Sequence, residues 1–442
     1  MDIPACPEGR GGRSHHDPFF GLQTAPLRWY FRSGKHRQSR LRPVGMLRNK
    51  PDTCVGFYIH SIVAIAAFIL WAASQLYVVV AIHCIFRRER AVRPLHTASP
   101  VTVLKPLCQA EHNLRENLLS FCLQDYPTYQ IIFGVQDAGD PALNEVRNLI
   151  REHPELDISV VIDGSVSGSN LKVSNLVNMY RSAKHDLIVI ADSDMRVGSD
   201  YLAAVVAEFH DPTVGAVTCL YSGTAKSGLA SRLGAMFINE WFVPSVLVAT
   251  SFSDLRFCFG ATMAVRREAL AAIGGLEALN HQLADDHMLG KLVADLGYKV
   301  RLCPYIVENL VDEPSLEALF RHELRWARTV RTVQPIGYAM SFVTYAIPMS
   351  ILVSIGIEAS LDWDAMSLLV IWIALSLRVI VHFAVGWTLK SYRPTDLFLI
   401  PIRDVLSFAV WMASYAGRNV AWKNQKFYVH ADGRMDTRGS VT

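Results

Sequence analysis

The stretch LIVIADSDMRVGSD, residues 187–200, runs from four apolar residues into two aspartates that lie one residue apart. A short apolar run of this kind is typical of a buried strand, in which residues i and i+2 lie on the same face. Asp192 and Asp194 are therefore expected to present two carboxylates to one place. Hard oxygen ligands suit Mg²⁺ or Mn²⁺. The alternative interpretation is a strand that ends in an Asp-capped turn.

Strands and helices alternate on both sides of this stretch. Apolar, β-branched segments predict strands at 99–107, 129–137, 156–163 and 186–194, with helical patterns between them. This alternation predicts an α/β domain with a mainly parallel sheet and flanking helices, in which ligands bind beyond the carboxyl ends of the strands. Asp137, at the end of GVQD, falls on the same edge as Asp192 and Asp194. Three acids on one edge favour a functional site.

The composition favours a soluble domain joined to membrane segments. The chain of 442 residues is 51% hydrophobic and 19% charged, with a net charge of +3 and a mean hydropathy of +0.22. Ordinary globular domains are about 25% charged. Nothing in the charge balance indicates a nucleic-acid partner. The eight cysteines form no C-x-x-C pair, which argues against a zinc site or a disulfide framework and fits a reducing compartment.

The first membrane segment is predicted at residues 55–86, which contain no Asp, Glu, Lys or Arg. This run is long enough to cross a bilayer with some tilt, and the basic RRERAVR at 87–93 predicts that its end is cytoplasmic. Residues 1–54, rich in Arg, His, Pro and Gly, are interpreted as a disordered basic arm. Met46 is an alternative start, in which case that arm is a mis-annotated extension.

Further membrane segments are predicted within residues 333–417, after a soluble domain at 97–332, and a basic tail follows at 418–442. Two to three crossings are expected, from runs at 333–357, 366–389 and 397–417. Arg378, Arg403 and Asp404 lie inside these runs. They indicate either in-membrane pairing and snorkelling or contact with a headgroup or the active site. The last run either crosses fully or is re-entrant or interfacial, and the charge rule does not decide.

Two further motifs complete the candidate site. LADDHMLG (283–290) opens a helix with Asp285 and Asp286, where the helix dipole alone favours acids. LFRHELRWARTVR (319–331) places arginines at three- or four-residue spacing on one helical face. That face is either solvated, beside lipid headgroups, or it is a clamp for a diphosphate with Trp326 as an aromatic wall.

The order of these motifs resembles that of family 21 glycosyltransferases, the ceramide glucosyltransferases and their bacterial relatives in hopanoid synthesis. The resemblance covers about residues 55–420. It is carried by VLKPL (103–107), LQDYPTYQIIFGVQDAGDPA (123–142), NLKVSN (170–175), DLIVIADSDMRV (186–197), CFGATMAVRREAL (258–270), LADDHMLG (283–290) and RHELRW (321–326). The last motif departs from the family pattern Q-x-x-R-W or R-x-x-R-W, because position 322 is His.

The resemblance implies a GT-A type fold and a role for each motif residue. Asp286 resembles the catalytic base, with Asp285 as its neighbour. Asp192 and Asp194 resemble a site for Mg²⁺ or Mn²⁺ and the donor diphosphate. Nucleotide-sugar contacts are implied for the remaining positions, Lys105, Pro106, Asp137, Lys172, Asn175, Arg325 and Trp326.

The implied partners are a UDP-sugar, a membrane lipid acceptor and the bilayer. The implied reaction is inverting transfer of glucose to ceramide, by an integral membrane protein of the bacterial inner membrane with a cytoplasmic catalytic domain. Three alternatives stay open: transfer of N-acetylglucosamine to a hopanoid, a processive polysaccharide synthase, and a non-enzymatic membrane scaffold. The few membrane segments, and the histidine where the family pattern has glutamine, argue against a synthase, and the intact acidic set argues against a scaffold. A transporter is disfavoured because the pattern of residues 97–330 indicates a soluble domain.

Overall fold

The computed structural model describes residues 51–88, 97–110, 113–361, 364–417, 419–422, 425–430 and 433–437. Most of the expected basic arm at 1–54, and part of RRERAVR, lie outside these residues. The first helix begins at Pro51, four residues before the uncharged run that predicted it.

Eight strands form the main sheet and three form a smaller one. The main sheet contains β1 (Val101–Pro106), β2 (Tyr129–Val135), β3 (Ile158–Ile162), β4 (Leu187–Ile190), β5 (Met195–Arg196), β6 (Val214–Ala225), β7 (Met263–Arg266) and β8 (Lys299–Val311). The smaller sheet contains β9 (Asn419–Trp422), β10 (Gln425–Val429) and β11 (Met435–Thr437). The sequence predicted the first four strands, each within a few residues of its observed bounds.

Helices cover both faces of the main sheet and form the apolar segments. They are α1 (Pro51–Arg87), α2 (Leu114–Cys122), α3 (Ala142–Glu152), α4 (Leu171–Tyr180), α5 (Tyr201–Ala207), α6 (Gly228–Phe237), α7 (Val243–Phe252), α8 (Arg267–Ala272), α9 (Asp285–Asp295), α10 (Leu316–Val333), α11 (Pro335–Met340), α12 (Ala346–Leu361), α13 (Asp364–Leu389) and α14 (Ile400–Ser414). A π-helical turn, Ile238–Phe242, joins α6 to α7, and 3₁₀ turns lie at Glu208–His210, Leu276–Leu279, Ser341–Thr344 and Pro394–Leu399.

The strand order is β3-β2-β1-β4-β7-β6-β8-β5. Strands β1 to β4 are mutually parallel, and β6 is parallel to β8. Strands β7 and β5 are antiparallel to their neighbours. The expected α/β architecture with flanking helices is therefore confirmed, and its sheet is mixed. Because β1, β2 and β4 run parallel and end side by side, the residues that follow them meet at one edge of the sheet.

Alternation along the strands builds a core on each face. Val101 and Val103 of β1 pack with α2, α3 and α5 on one side, whereas Leu104 packs with α4, α8 and α9 on the other. In β4, Leu187 packs on the first of these sides and Ile188 on the second. These side chains are buried completely or almost so, and the period of two fixes the register of each strand against its helices.

Several helices of the described residues are long and apolar enough to cross a membrane. These are Ile62–Arg87, Gly228–Phe252, Ala365–Leu389 and Pro394–Ser414, and a further pair, Pro335–Thr344 and Ala346–Ile357, is bent by 69°. The segment 228–252 was not predicted, because Arg232 and Glu240 interrupt its apolar pattern. The protein is a membrane protein, as its composition indicated. The bend lies in the first apolar run of the C-terminal part, 333–357.

Charged residues inside these helices form buried ion pairs. Arg378 donates two hydrogen bonds to Asp404, at 3.0 and 2.9 Å, and one to Glu240 at 3.2 Å. Arg403 pairs with Glu323 of α10 and not with its neighbour Asp404. Of the two interpretations of these charges, the structure shows the pairing, and Arg403 pairs with a helix outside the candidate spans.

The segment after α14 returns to the α/β domain. Arg328 and Arg331 of α10 donate to the carbonyls of Ala416 and Gly417, each at 2.7 Å. Beyond them, the amide of Leu283 donates to the carbonyl of Gly433 at 3.0 Å. The expected tail thus contains the small sheet, and it contacts the loop just before α9.

Candidate active site

Two lysines hold the segment that follows β4. Lys105, at the end of β1, is completely buried, and its Nζ donates to the backbone carbonyl of Asp192 at 2.7 Å. The same ammonium lies 3.5 Å from the centre of the Phe121 ring. A fully buried lysine is costly unless it is paired. Lys105 therefore acts here by fixing the backbone at Asp192.

Lys172 joins two acidic motifs that are far apart in sequence. Its Nζ lies 2.7 Å from Oδ1 of Asp192 and 3.1 Å from Oδ2 of Asp285. Asn170 caps α4 by accepting from the amide of Val173, which fixes the first turn that carries Lys172. Although burial disfavours its charged form, the two carboxylates raise the pKa of Lys172. The lysine is thus a permanent cation between the strand end and the start of α9.

Asp286 lies beside this ion pair with a different environment. Its Oδ2 accepts from the amide of Gly260 at 3.0 Å and its Oδ1 from the amide of His287 at 2.7 Å. Burial, and then the charge of Asp285, raise the pKa of Asp286 to about 6. A carboxylate with a raised pKa that is still ionised at neutral pH is suited to accept a proton from a substrate.

Gly260 lies close to carboxylates of both acidic motifs. A Cβ at this position would lie 2.6 Å from Oδ2 of Asp192 and 3.7 Å from Oδ2 of Asp286. Because even an alanine would clash with Asp192, the glycine is what allows the Asp192 carboxylate to lie this close to the backbone beside Asp286. Gly260 lies in the CFGATMAVRREAL motif, but nothing in its sequence spacing predicted a contact with both acids.

The expected strand alternation does not extend as far as Asp194. Strand β4 ends at Ile190, and a turn follows in which the amide of Met195 donates to the carbonyl of Asp192 at 3.4 Å. Asn309 of β8 donates to Oδ2 of Asp194 at 3.0 Å. Both aspartates nevertheless interact electrostatically with Arg325. A turn, and not a strand, places both carboxylates within electrostatic reach of Arg325.

Arg325 is the arginine of α10 that faces the acids. Burial lowers its pKa, and the charges of Asp192 and Asp194 counteract this effect. Tyr221 of β6 lies in the same field: burial and then the charge of Asp286 raise the pKa of its hydroxyl. No sequence signal indicated Tyr221 or Asn309, because both reach the site from strands that the predicted pattern did not include.

The other arginines of α10 do not share this position. Arg321 is exposed and lies 3.9 Å from Glu317, while Arg328 and Arg331 bind the carbonyls after α14. Trp326 stacks on Phe237 with ring centres 6.1 Å apart. The helical face that the sequence showed as uniformly cationic is therefore divided between the site and the membrane helices.

The remaining predicted residues lie along the neighbouring strand ends. Pro106 ends β1 opposite Gly134 of β2. Asn175, which is buried, donates to the carbonyl of Gly134 at 2.8 Å. Asp137 lies two residues after β2, and its Oδ1 accepts from the amide of Gly139 at 2.8 Å in an exposed turn. Asn175 thus holds the end of β2, while Asp137 lies outside the buried network, at the rim.

His322, which departs from the family pattern, has a defined partner. Its Nδ1 lies 2.7 Å from Oε1 of Glu313, and its ring centre lies 4.2 Å from that of Trp326. The imidazole therefore joins the end of β8 to the first half of α10.

The acidic residues also fit a divalent cation that is shared with a substrate. Among the residues that the structure describes, no three His, Cys, Asp or Glu side chains form a complete metal cage. Mg²⁺ and Mn²⁺ sites in phosphate chemistry commonly use only one or two carboxylates, and substrate oxygens supply the rest. Asp192 and Asp194 provide such a pair: Lys172 contacts Oδ1 of Asp192, and Asn309 donates to Oδ2 of Asp194.

Comparison with known proteins gives a consistent result. The model of the family described as Glycosyl transferase family 21 matches residues 66–435. Ceramide glucosyltransferase 1 of Caenorhabditis elegans is 22% identical over 384 residues, which are 85% of this chain and 82% of the relative. An N-acetylglucosaminyltransferase of Bradyrhizobium diazoefficiens is 25% identical over 243 residues, which are 52% of this chain and 48% of the relative.

Solved structures confirm the fold. The mannosyltransferase PcManGT from Pyrobaculum calidifontis, solved in complex with GDP-Man and Mn²⁺, superposes with a TM-score of 0.54 at 20% identity. The match covers 80% of this chain and 99% of that protein. The mixed sheet with its flanking helices is thus a GT-A-like glycosyltransferase fold.

Proposed function

The chain belongs to glycosyl transferase family 21, and from this premise we propose that it transfers a hexosyl group from a UDP-sugar to a hydroxyl of a membrane lipid. The favoured reaction is transfer of glucose to ceramide, with inversion at the anomeric carbon. Two kinds of observation support this proposal: the geometry around Asp286, and the membrane helices that are packed against the same domain.

The observation that carries the proposal is the contrast between Asp192 and Asp286. Lys172 holds Asp192 and Asp285 at 2.7 and 3.1 Å, whereas Asp286 accepts only backbone hydrogen bonds from Gly260 and His287 in the contacts described. Asp286 therefore binds a proton more tightly than an ordinary aspartate, with a pKa of about 6. We assign Asp286 as the base that takes the proton of the acceptor hydroxyl while the hydroxyl oxygen attacks the anomeric carbon.

The leaving group in this reaction is a nucleoside diphosphate. Arg325 and Lys172 supply positive charge beside the acids, and charge that is already in place stabilises the developing negative charge without reorganisation. Asp192 and Asp194 would hold a divalent cation, which would neutralise the diphosphate when bound. Asp137, Pro106 and Trp326 are assigned to contact the nucleotide sugar. The buried Lys105 and Asn175 are assigned to the same site as the residues that hold the backbone of its wall.

The membrane helices bring the domain to the second substrate, the lipid acceptor. A lipid acceptor reaches the domain from the bilayer, and α10 and α11 connect the site directly to the apolar segments. By the positive-inside rule, the basic residues after α1 support a cytoplasmic catalytic domain. For a bacterial protein, a cytoplasmic catalytic domain places the membrane helices in the inner membrane.

The test uses membranes that contain the protein or its Asp286→Asn variant. UDP-glucose and UDP-N-acetylglucosamine are offered separately with ceramide and with a hopanoid alcohol, and lipid products are identified by mass. We expect glucosylated ceramide with the wild type and a loss of at least about 10²-fold with the variant, because a positioned general base contributes about 10²–10⁴-fold. Unchanged turnover by the variant would contradict the assignment of Asp286.

A second donor sugar is retained for one reason, and the hopanoid acceptor is retained from the resemblance alone. The Bradyrhizobium relative is named an N-acetylglucosaminyltransferase. An aminosugar on the hopanoid alcohol would move the reaction to hopanoid synthesis with the same base. A growing polymer without a lipid product would instead indicate a processive synthase, and no transfer at all with intact UDP binding would favour a scaffold.

A further inference from the structure

A buried ion pair links the helix that carries Arg325 to the last apolar helix. Arg403 of α14 donates from Nη1 to Oε1 and from Nη2 to Oε2 of Glu323 in α10, both at 2.7 Å. Each side chain is only 2% exposed. A bidentate pair fixes the orientation of its partners as well as their distance. The pair therefore determines where the first half of α10 lies relative to α14.

Arg403 also ties this contact to a third helix. Its Nη1 donates to the carbonyl of Leu233 in α6 at 3.1 Å, and its Nε donates to Ser407 at 3.1 Å. Its guanidinium lies 5.4 Å from the centre of the Phe237 ring, the ring on which Trp326 stacks. One side chain thus joins α6, α10 and α14, and it contacts the residue that supports Trp326.

Glu323 lies two residues before Arg325 on the same helix. Because a helix is stiff over one turn, a displacement at Glu323 is passed on to Arg325. Arg325 interacts with Asp192 and Asp194 from the edge of the sheet. A small shift of α10 changes the distance between the guanidinium and these acids, and electrostatic interactions in a partly buried site depend strongly on that distance.

We propose that Glu323 and Arg403 are positioning residues that set the reach of Arg325 into the donor site. The packing of the apolar helices then controls the affinity for a nucleoside diphosphate, although neither residue contacts it. This inference rests on the proposed function, since it treats Arg325 as a donor-binding residue.

The test replaces both partners together. Loss of one partner leaves a buried unpaired charge, whereas apolar replacement of a whole buried pair is often tolerated. The variant Glu323→Leu/Arg403→Met is purified, its thermal unfolding is compared with the wild type, and its Kd for UDP and KM for the UDP-sugar are measured. We expect a folded protein whose Kd and KM rise about tenfold, with a smaller change in kcat.

Two further variants make the test specific. Arg378→Gln/Asp404→Asn removes another buried pair, with side chains 7% and 9% exposed, that joins α13 to α14, and we expect its Kd for UDP to stay within about twofold of the wild type. The reversed pair Glu323→Arg/Arg403→Glu should recover part of the lost affinity, because it restores the link. It also serves as the test if the apolar variant does not fold.

The outcomes are distinct. An unchanged Kd for UDP in the folded apolar variant, or an equal loss in the Arg378/Asp404 variant, would overturn the inference and leave the proposed function intact. If the wild-type chain does not bind UDP, the proposed function fails, and the inference fails with it.

Discussion

At the scale of single residues, the environment of Asp286 predicts a pH dependence. The base must be ionised, so kcat/KM should rise through pH 6 with one ionisation and level off above it. The charge of Asp285 is one cause of the raised pKa. In an Asp285→Asn variant, the acidic limb should therefore move to lower pH, by roughly one unit. An unmoved limb in a full pH profile would show that another group controls it.

The raised pKa of Asp286 also predicts that the ionised carboxylate lowers the free energy of unfolding at neutral pH. Because the pKa of Asp286 is about 6 in the folded state and 3.8 as an isolated group, the folded state binds its proton more tightly. The resulting stability is fully present below pH 3.8 and is lost as the pH rises through 6. At about pH 7.5, Asp286→Asn should stabilise the protein by about 1–3 kcal/mol. Thermal unfolding in detergent measures this, and a lower melting temperature would contradict it.

The contact between His322 and Glu313 predicts that glutamine is tolerated at position 322. Its Nδ1 lies 2.7 Å from Oε1 of Glu313, a contact that the amide of glutamine can also make. We expect His322→Gln to retain activity within about threefold, because the hydrogen bond remains and its net value is modest. The readout is the rate of sugar transfer. Complete loss would mean that the imidazole has a role of its own, beside Trp326.

At the scale of elements, the placement of α9 depends on a close approach. A Cβ on Gly290 would lie 2.4 Å from Cα of Phe257 and 2.6 Å from the amide nitrogen of Cys258. Backbone atoms cannot give way as a flexible side chain can, so Gly290→Ala should push α9, with Asp285 and Asp286, away from Lys172 and Gly260. We expect kcat to fall at least about tenfold.

A matched glycine provides the control for this experiment. Gly356 lies in the interior of α12, and a Cβ there would meet nothing within 4 Å. Gly356→Ala should leave transfer unchanged. If both alanine variants lose activity to the same extent, the effect cannot be attributed to the contact between α9 and Phe257.

The sequence predicted those elements whose pattern is local. Runs such as 129–137 and 186–194 are apolar and end at polar residues, so β2 and β4 were found together with Asp192. Strand β7 and the helical segment 228–252 were missed, because their surroundings decide their structure. Glu240, for example, interrupts an apolar run and is stable there only through Arg378 and His382.

The candidate site shows the same division. Motif order identified Lys172, Asp192, Asp285 and Asp286, and the structure brings them together. It did not identify Gly260 as the residue between the acids, nor Asn309 and Tyr221, which arrive from β8 and β6. The spacing of residues along the sequence does not reveal contacts between distant segments. The division of the arginines of α10 between two partners likewise follows from packing alone.

At the scale of the whole molecule, the two ends of α14 touch the same neighbour. Arg403, near its beginning, binds Glu323, and Ala416, just after its end, binds Arg328. Helix α14 thus runs alongside α10, an amphipathic helix of the catalytic domain. Helices α12 and α13 form a hairpin, in which Ser354 and Ser367 exchange hydrogen bonds at 3.0 and 3.3 Å.

This arrangement determines whether the number of membrane crossings is even or odd. A path that leaves the domain at α10 and returns to it at Gly433 makes an even number of crossings, and we predict that the hairpin goes out and back while α14 stays at the interface. Fluorescent and alkaline phosphatase reporters, fused after Thr442 or inserted between Leu361 and Asp364, measure this. We expect the first position to lie on the side of the catalytic domain and the second on the opposite side. A reporter after Thr442 on the far side would make the count odd and α14 a true crossing.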